Sequence, residues 1–328
     1  MKIAIIGGGW VGCHLAMKLK DIHEITIFDK NKKLFTETSY NNQNRLHLGF
    51  HYPRSSKTRN LCLNTFDRFI KDYGFIVKDV PNNLYCIPSN ESIIDFETFK
   101  QIFKEYNVED HPHSLKNIEG CVNTNEKHIN YKKIHDFFNE KLSNIFVQSE
   151  ISNKKILKLQ SEYDFVINCT NNHITDKIYN NSFYETTLTL IYKKISETDF
   201  DGLTLVDGNL FSVYPYNNDL FTLTDVEYTP LGKFKTLKQL KSYNNKITDK
   251  LIQKQKKLIE NKVLKYYPMF FKHFEYDSYF ISTKTKIHNI SDDRSPIITK
   301  ENNLINCFTG KIQGIYLIED YLIKELSL

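Results

Sequence analysis

The sequence predicts an α/β fold: a helix-flanked parallel sheet interleaved with an antiparallel, β-rich α+β lobe. Three observations predict it. Residues 2–29 read as strand, glycine turn, helix and strand. Apolar runs at 163–170 and 304–308 read as further buried strands, ending in polar or glycine-bearing loops. The blocks 75–88 and 185–228 are instead rich in Tyr, Phe, Thr and Val, and turn signals such as Asp207-Gly208 cut the second. The expected division is 1–74, 145–180 and 286–328 for the first lobe, with 75–144 and 181–285 for the second.

Each element has a local reason. Lys2–Ile6 is a short apolar run, Trp10–Lys20 has helical spacing, and Glu24–Phe28 alternates with β-branched residues before Asp29 closes the strand. Residues 60–73 carry Leu61, Thr65 and Phe69 beside Leu63, Phe66 and Ile70, the pattern of an amphipathic helix. A long Lys-rich helix is expected over about 234–265, with Leu240, Ile247, Leu251 and Leu258 as its buried stripe. The end of the chain reads as a strand, a glycine-bearing turn and a helix.

Composition sets outer bounds. At 328 residues and 40% hydrophobic content, the chain is long enough for two lobes and is no mini-protein, disordered tail or coiled coil. The net charge of +5 does not call for nucleic acid. Six cysteines without a C-x-x-C pair are expected to be reduced thiols, and the expected location is cytoplasmic. No apolar run approaches the roughly 20 residues that span a bilayer. Lysine outnumbers arginine 39 to 5, so each arginine is expected to answer a chemical demand. Arg45, Arg54, Arg59 and Arg68 fall close together, and Arg45, Arg54 and Arg294 are expected around one site.

Gly7-Gly8-Gly9-Trp10-Val11-Gly12 fits G-x-G-x-x-G between a strand and a helix. Gly7 allows the tight turn, Gly9 lets a pyrophosphate approach the backbone, and Gly12 lets the helix pack on the sheet. The N–H groups around Trp10 and Val11 then face the phosphates. Asp29, at the end of the second strand, is placed to accept from ribose hydroxyls, with Lys30 beside it. The alternative is a glycine turn without a ligand.

Further segments carry a family resemblance. Asn168-Cys169-Thr170-Asn171 resembles the A-T-G segment of glutathione-reductase-type flavoproteins, with Asn171 in place of glycine. Leu46-His47-Leu48-Gly49-Phe50-His51-Tyr52-Pro53 is similar to the I-H-A-G-I-Y-Y-P stretch of 2-hydroxyglutarate oxidases. Gly310, Lys311, Gln313 and Gly314 resemble the G-H-x-G-x-G flavin loop, with lysine replacing histidine. Together these resemble the D-amino-acid oxidase-like superfamily of FAD-dependent oxidoreductases. The resemblance implies a Rossmann-like FAD-binding domain and FAD held non-covalently, since residues 288–296 contain no cysteine. It also puts Thr170 and the Gly310–Gly314 loop beside FAD.

The segment between the lobes keeps two readings. Asn44, Arg45 and His47 hold the cofactor, or else His51, Tyr52 and Arg54 face the substrate, His51 taking a proton and Arg54 clamping an anion. Gly49 and Pro53 argue against a helix carrying His47 and His51 as metal ligands, and no metal is expected. Arg294 is a further anion-binding candidate. Tyr214 and Tyr216 sit on a strand pair resembling the superfamily's substrate floor. The stretch 233–265 has eleven Lys and two acids, so its lysines form a solvated face or a polyanion-binding surface. The expected activity is oxidation of a C–N or C–OH bond in a small, anionic amine, amino acid, hydroxy acid or sugar derivative. A flavin-dependent mutase or lyase and a non-catalytic flavoprotein subunit are the alternatives; oligomeric state is left open.

Overall fold

A computed structural model describes residues 1–104, 108–109, 112–174, 181–288 and 292–326. The expected lobe boundary at 180 and the final residues 327–328 lie outside the described residues. One sheet runs in the order Ile297–Glu301, Leu304–Phe308, Phe165–Asn168, Lys2–Ile6, Glu24–Asp29 and Phe146–Gln148. All its neighbours are parallel except the terminal Ile297–Glu301 hairpin strand. Lys2–Ile6 is central and buried on both faces, which is why it reads as an unbroken apolar run.

Helix Trp10–Leu19 leaves the first strand and packs against helix Ile315–Glu325. Trp10 puts its side chain into the core, with Phe35, Phe69, Tyr73 and Phe138 rings at 5.0–5.7 Å. Helix Ser56–Tyr73 begins four residues before the expected position, because Ser55 caps it by accepting from the Thr58 amide. Buried His14 ties these helices together, with Nδ1 on the Tyr73 hydroxyl at 2.7 Å and Nε2 on Glu319 at 2.8 Å. His14, Asp72 and Glu319 lie close enough to resemble metal ligands. Lys18 pairs with Asp72 and Arg68 with Glu319, so cations of the chain already answer those carboxylates.

The second sheet is antiparallel except where Gly202–Leu205 pairs in parallel with Asn83–Pro88. It takes the order Pro230–Phe234, Ser182–Lys194, Leu220–Asp225, Phe211–Asn217, Gly202–Leu205, Asn83–Pro88, Ile118–Asn123 and Val108–Glu109, with Phe274–Ile287 along the other edge of Ser182–Lys194. One face carries Leu188, Leu190, Leu203, Val213 and Leu223, which pack on a helix. The opposite face carries Thr187, Ser212 and Thr224 toward the first lobe. A short sheet of Arg45–Leu46, Lys127–Ile129 and Val77–Lys78 lies between the two.

Two expectations change here. The Lys-rich segment is not one helix: it is the strand Pro230–Phe234 and the helices Leu237–Asn244 and Asp249–Tyr266. Thr248 caps the second helix by accepting from the Leu251 amide, and this resets the phase. Ile252, Ile259, Val263 and Tyr266 are buried rather than Leu251 and Leu258.

Cys86 and Cys121 are not free thiols. They stand directly opposite on adjacent antiparallel strands, Cα atoms 4.1 Å apart, and form a disulfide. The bridge closes a 35-residue separation, so the chain-entropy argument gives it about 3–4 kcal/mol. Urea unfolding of a Cys86→Ala/Cys121→Ala double variant should show a loss of that order; an unchanged midpoint would refute it.

Candidate active site

The glycine turn is built as its residue types require. Gly7 has φ +101°, and a Cβ there would lie 2.8 Å from the Cys169 carbonyl oxygen. A Cβ on Gly12 would meet the Gly7 carbonyl oxygen at 1.9 Å, so only glycine allows this helix to sit on this strand. Asp29 uses its carboxylate partly within the protein, accepting from the Gly8 amide at 2.7 Å and the Asn31 amide at 2.8 Å. The Trp10 amide donates to the Ser39 hydroxyl at 3.0 Å. Lys30 pairs with Glu37 at 3.0 Å on the surface. Across the turn, Asn171 adopts φ +56° in the position glycine fills in the resembled segment. Thr170 is fixed by its amide and hydroxyl donating to Asn168 Oδ1.

From this turn a cavity of about 1100 Å³ runs into the antiparallel lobe. That exceeds the roughly 300–1,000 Å³ typical of drug-sized ligands, as a dinucleotide plus substrate requires. Gly7, Gly9, Val11, Asp29 and Thr170 line one end. Asn44, Arg45, His47, His51, Tyr52, Lys284, Arg294, Gly310 and Lys311 line the rest. The glycine cradle, the acid beside it and this volume fit FAD.

At the inner end, buried Arg45 donates to Tyr85 and Thr204 hydroxyls at 2.8 Å and to Ser212 at 2.6 Å, and its guanidinium lies 3.7 Å over the Tyr214 ring. His47 Nδ1 faces the buried carboxylate of Glu126 at 3.3 Å. Burial, then the Lys311 charge, push the His47 imidazole down to about 4 despite Glu126. His51 lies 5.9 Å from His47 between ring centroids, and its Nδ1 is buried without a hydrogen bond. Burial and the same Lys311 charge hold it well below the ordinary histidine range. Both imidazoles are therefore neutral at pH 7. Lys311 sits 4.4 Å over the Tyr52 ring. Burial and nearby like charge lower both Lys311 and Lys284 to about 8.

Several expected contacts are placed differently. Tyr214 is fully buried behind the Arg45 guanidinium, and Tyr216 packs on Tyr131 and Phe280, so neither lines the cavity. Gln313 is buried and donates to the carbonyls of His47 at 2.8 Å and Cys62 at 2.7 Å; it braces the His47 segment instead of touching the cavity. Gly314 is likewise buried beneath, against Thr309 and Pro296. Arg54 reaches the cavity wall but is engaged with Asp207, and Arg294 is engaged with Asp292, so neither guanidinium is an open clamp. Arg45, Arg54 and Arg294 do border one cavity. Sequence reasoning missed Glu126, Lys284, Tyr85 and Asp207. Only Lys284 left a signal: in Thr283-Lys284-Thr285-Lys286 its charge recurs at the two-residue period of one strand face.

Residues 2–103 match the family described as FAD dependent oxidoreductase. Over 99% of its length the chain is 32% identical to "FAD-dependent monooxygenase FPY4" of Fusarium mangiferae, covering 91% of that protein. Among solved structures it is similar to glycine oxidase from Geobacillus kaustophilus (TM-score 0.69, 11% identity, 96% of this chain and 90% of that one). It is equally similar to FAD-bound L-alpha-glycerophosphate oxidase from Mycoplasma pneumoniae (TM-score 0.69, 12% identity, 100% and 94%). Glycine turn, cavity and relatives agree: the chain belongs to the FAD-dependent oxidoreductases with the D-amino-acid-oxidase-like fold.

Proposed function

We propose that this flavoenzyme oxidises the C–OH group of a small anionic hydroxy compound. The observation that carries this reading is the pair Lys284 and Lys311. Both line the cavity, both are held near 8, and among the described residues neither forms an ion pair with a carboxylate. Half-buried cations without a paired counterion are unfavourable, and an entering anion relieves them. A protonated amine meets repulsion from the same two groups and from Arg45. The sequence left C–N and C–OH open; the charge of the cavity favours C–OH.

FAD, when bound, supplies the two-electron acceptor. The Gly7–Val11 backbone would hold its pyrophosphate and Asp29 a ribose hydroxyl. Lys284 and Lys311 draw and orient the substrate anion. His47 accepts the hydroxyl proton, a role that its carboxylate neighbour suits better than the unsupported His51 ring, and Glu126 then faces the imidazolium. Bound non-covalently, the flavin should be released intact on denaturation.

The test is anaerobic bleaching of the flavin absorbance across 2-hydroxy acids, polyol phosphates, amino acids and simple amines. Hydroxy compounds should bleach it and amines should not; faster bleaching by amines overturns the reading. Bleaching only by a nicotinamide reductant, with oxygen from O2 entering a product, would favour the monooxygenase activity named for the fungal relative.

A further inference from the structure

Glu126 belongs to no motif, yet it stands directly behind two residues that line the cavity: it faces His47, and it reaches Arg45 through Tyr85. It is fully buried. Oε1 accepts the amides of Leu48 at 2.8 Å and Gly49 at 3.2 Å. Oε2 accepts the Tyr85 hydroxyl at 2.6 Å and faces His47 Nδ1 at 3.3 Å. The Tyr85 hydroxyl in turn accepts from Arg45 Nη1 at 2.8 Å. A carboxylate this deep is strongly unfavourable unless charge and hydrogen bonds compensate it. Here Arg45 balances the charge through Tyr85, and two backbone amides complete the shell. Burial works against the charged form, yet His47, Arg45 and Tyr85 hold the carboxyl down at about 2. Glu126 is an anion at every working pH.

The anion constrains its neighbour. A neutral imidazole carries one proton, on either nitrogen, and the partner of one nitrogen decides which. A permanent acceptor at Nδ1 selects the Nδ1–H form. The 3.3 Å approach is long and poorly aligned for a hydrogen bond, as such contacts often are before substrate binds. Gln313 holds the His47 carbonyl from the other side, so the ring pivots about a fixed backbone. Lys311 and Arg45 repel a second proton on this ring until a substrate supplies one.

We propose that Glu126 is the positioning residue of this active site: it selects the Nδ1–H tautomer of His47 and thereby presents a bare Nε2 to the cavity. The proposal rests on the reading of His47 as proton acceptor, but its structural half stands without any substrate. Glu126→Gln keeps the shape and an oxygen for the Leu48 and Gly49 amides. Its amide NH2 then donates where the carboxylate accepted, and His47 turns to the Nε2–H form, which cannot accept a proton.

The experiment uses FAD-saturated protein with 15N-labelled histidine and reads the His47 ring nitrogens by NMR at pH 7, assigned with His47→Asn. The expected result is protonated Nδ1 and bare Nε2 in the native protein, reversed in Glu126→Gln, and native-like in Tyr85→Phe. With any hydroxy compound that bleaches the flavin, Glu126→Gln should slow reduction about 100-fold while substrate Kd changes less than about 3-fold. An Nε2–H tautomer in the native protein overturns the proposal, and so does an unchanged tautomer in folded Glu126→Gln. Should Glu126→Gln not fold, the native tautomer decides alone. A correct tautomer with no bleaching by any hydroxy compound sinks the functional reading and leaves Glu126 in its place.

Discussion

Gly12→Ala should yield a colourless protein. The new Cβ would lie 1.9 Å from the Gly7 carbonyl oxygen and 3.3 Å from Ile5 Cγ2. That oxygen belongs to backbone whose amide donates to the Phe28 carbonyl at 2.8 Å, so it has no free direction in which to retreat. Helix Trp10–Leu19 must instead lift off the sheet by about 1 Å, and overpacking of this kind destabilises by about 1–3 kcal/mol. The larger effect falls on binding, because the same movement turns the helix N-terminal amides away from the pyrophosphate position. FAD affinity should fall at least about 100-fold, read by fluorescence titration of the apoprotein. Gly8→Ala is the milder comparison: its Cβ would meet Leu34 Cδ2 at 2.3 Å and Asp29 Oδ2 at 3.3 Å, side-chain atoms rather than backbone, so it should lose less flavin affinity than Gly12→Ala. Gly12→Ala purified with a normal flavin ratio would refute the packing argument.

That contrast also explains what was legible in the sequence. The Gly7, Gly12 and Asn171 positions demand a backbone or a contact that few residues tolerate, so identity alone announced geometry. The parallel strands were legible because burial on both faces makes them unbroken apolar runs. The inner end of the cavity obeys no such local rule. Glu126 reaches His47 because strand Lys127–Ile129 pairs with Arg45–Leu46, a partnership across some eighty residues that no periodicity encodes. Arg45, Arg54 and Arg294 border one cavity, as the scarcity of arginine suggested, yet that scarcity was silent on Asp207 and Asp292, which engage two of them. Tyr214 shows the converse error. The resemblance of its strand pair to a substrate floor put it at the site, but Arg45 lies over its ring and takes the cavity surface for itself. The break before Thr248, where a new helix begins, likewise moved the buried stripe by one residue, from Leu251 and Leu258 to Ile252 and Ile259.

Lys311→Met should make the protein more stable at pH 7 and worse at binding anions. Burial lowers the Lys311 ammonium from 10.5 to about 8, and Arg294 adds to the shift. In the unfolded chain the same lysine keeps its proton to its ordinary range. Between about pH 8 and 10.5 the unfolded state therefore binds more protons, and native stability rises with pH through that window. Below pH 8 the cost of burying the charge is present in full. Methionine fills similar volume without charge, so the variant escapes that cost, and part of the rise in melting temperature above pH 8 should disappear with it. Lys284, lowered to about 8 by burial and by Lys286, supplies a remaining share, so a Lys284→Met/Lys311→Met pair should flatten the rise further. Function moves the other way. In the FAD-loaded native protein, affinity for a 2-hydroxy acid should decline as pH passes about 8 and the ammoniums discharge. Lys311→Met should bind that anion at least about 10-fold more weakly at pH 7, with little of the decline left. Melting curves from pH 7 to 10 and flavin-perturbation titrations measure the two halves separately. A variant less stable than the native protein at pH 7, or one with undiminished anion affinity, would show that Lys311 is a packing residue rather than a charge held ready for substrate.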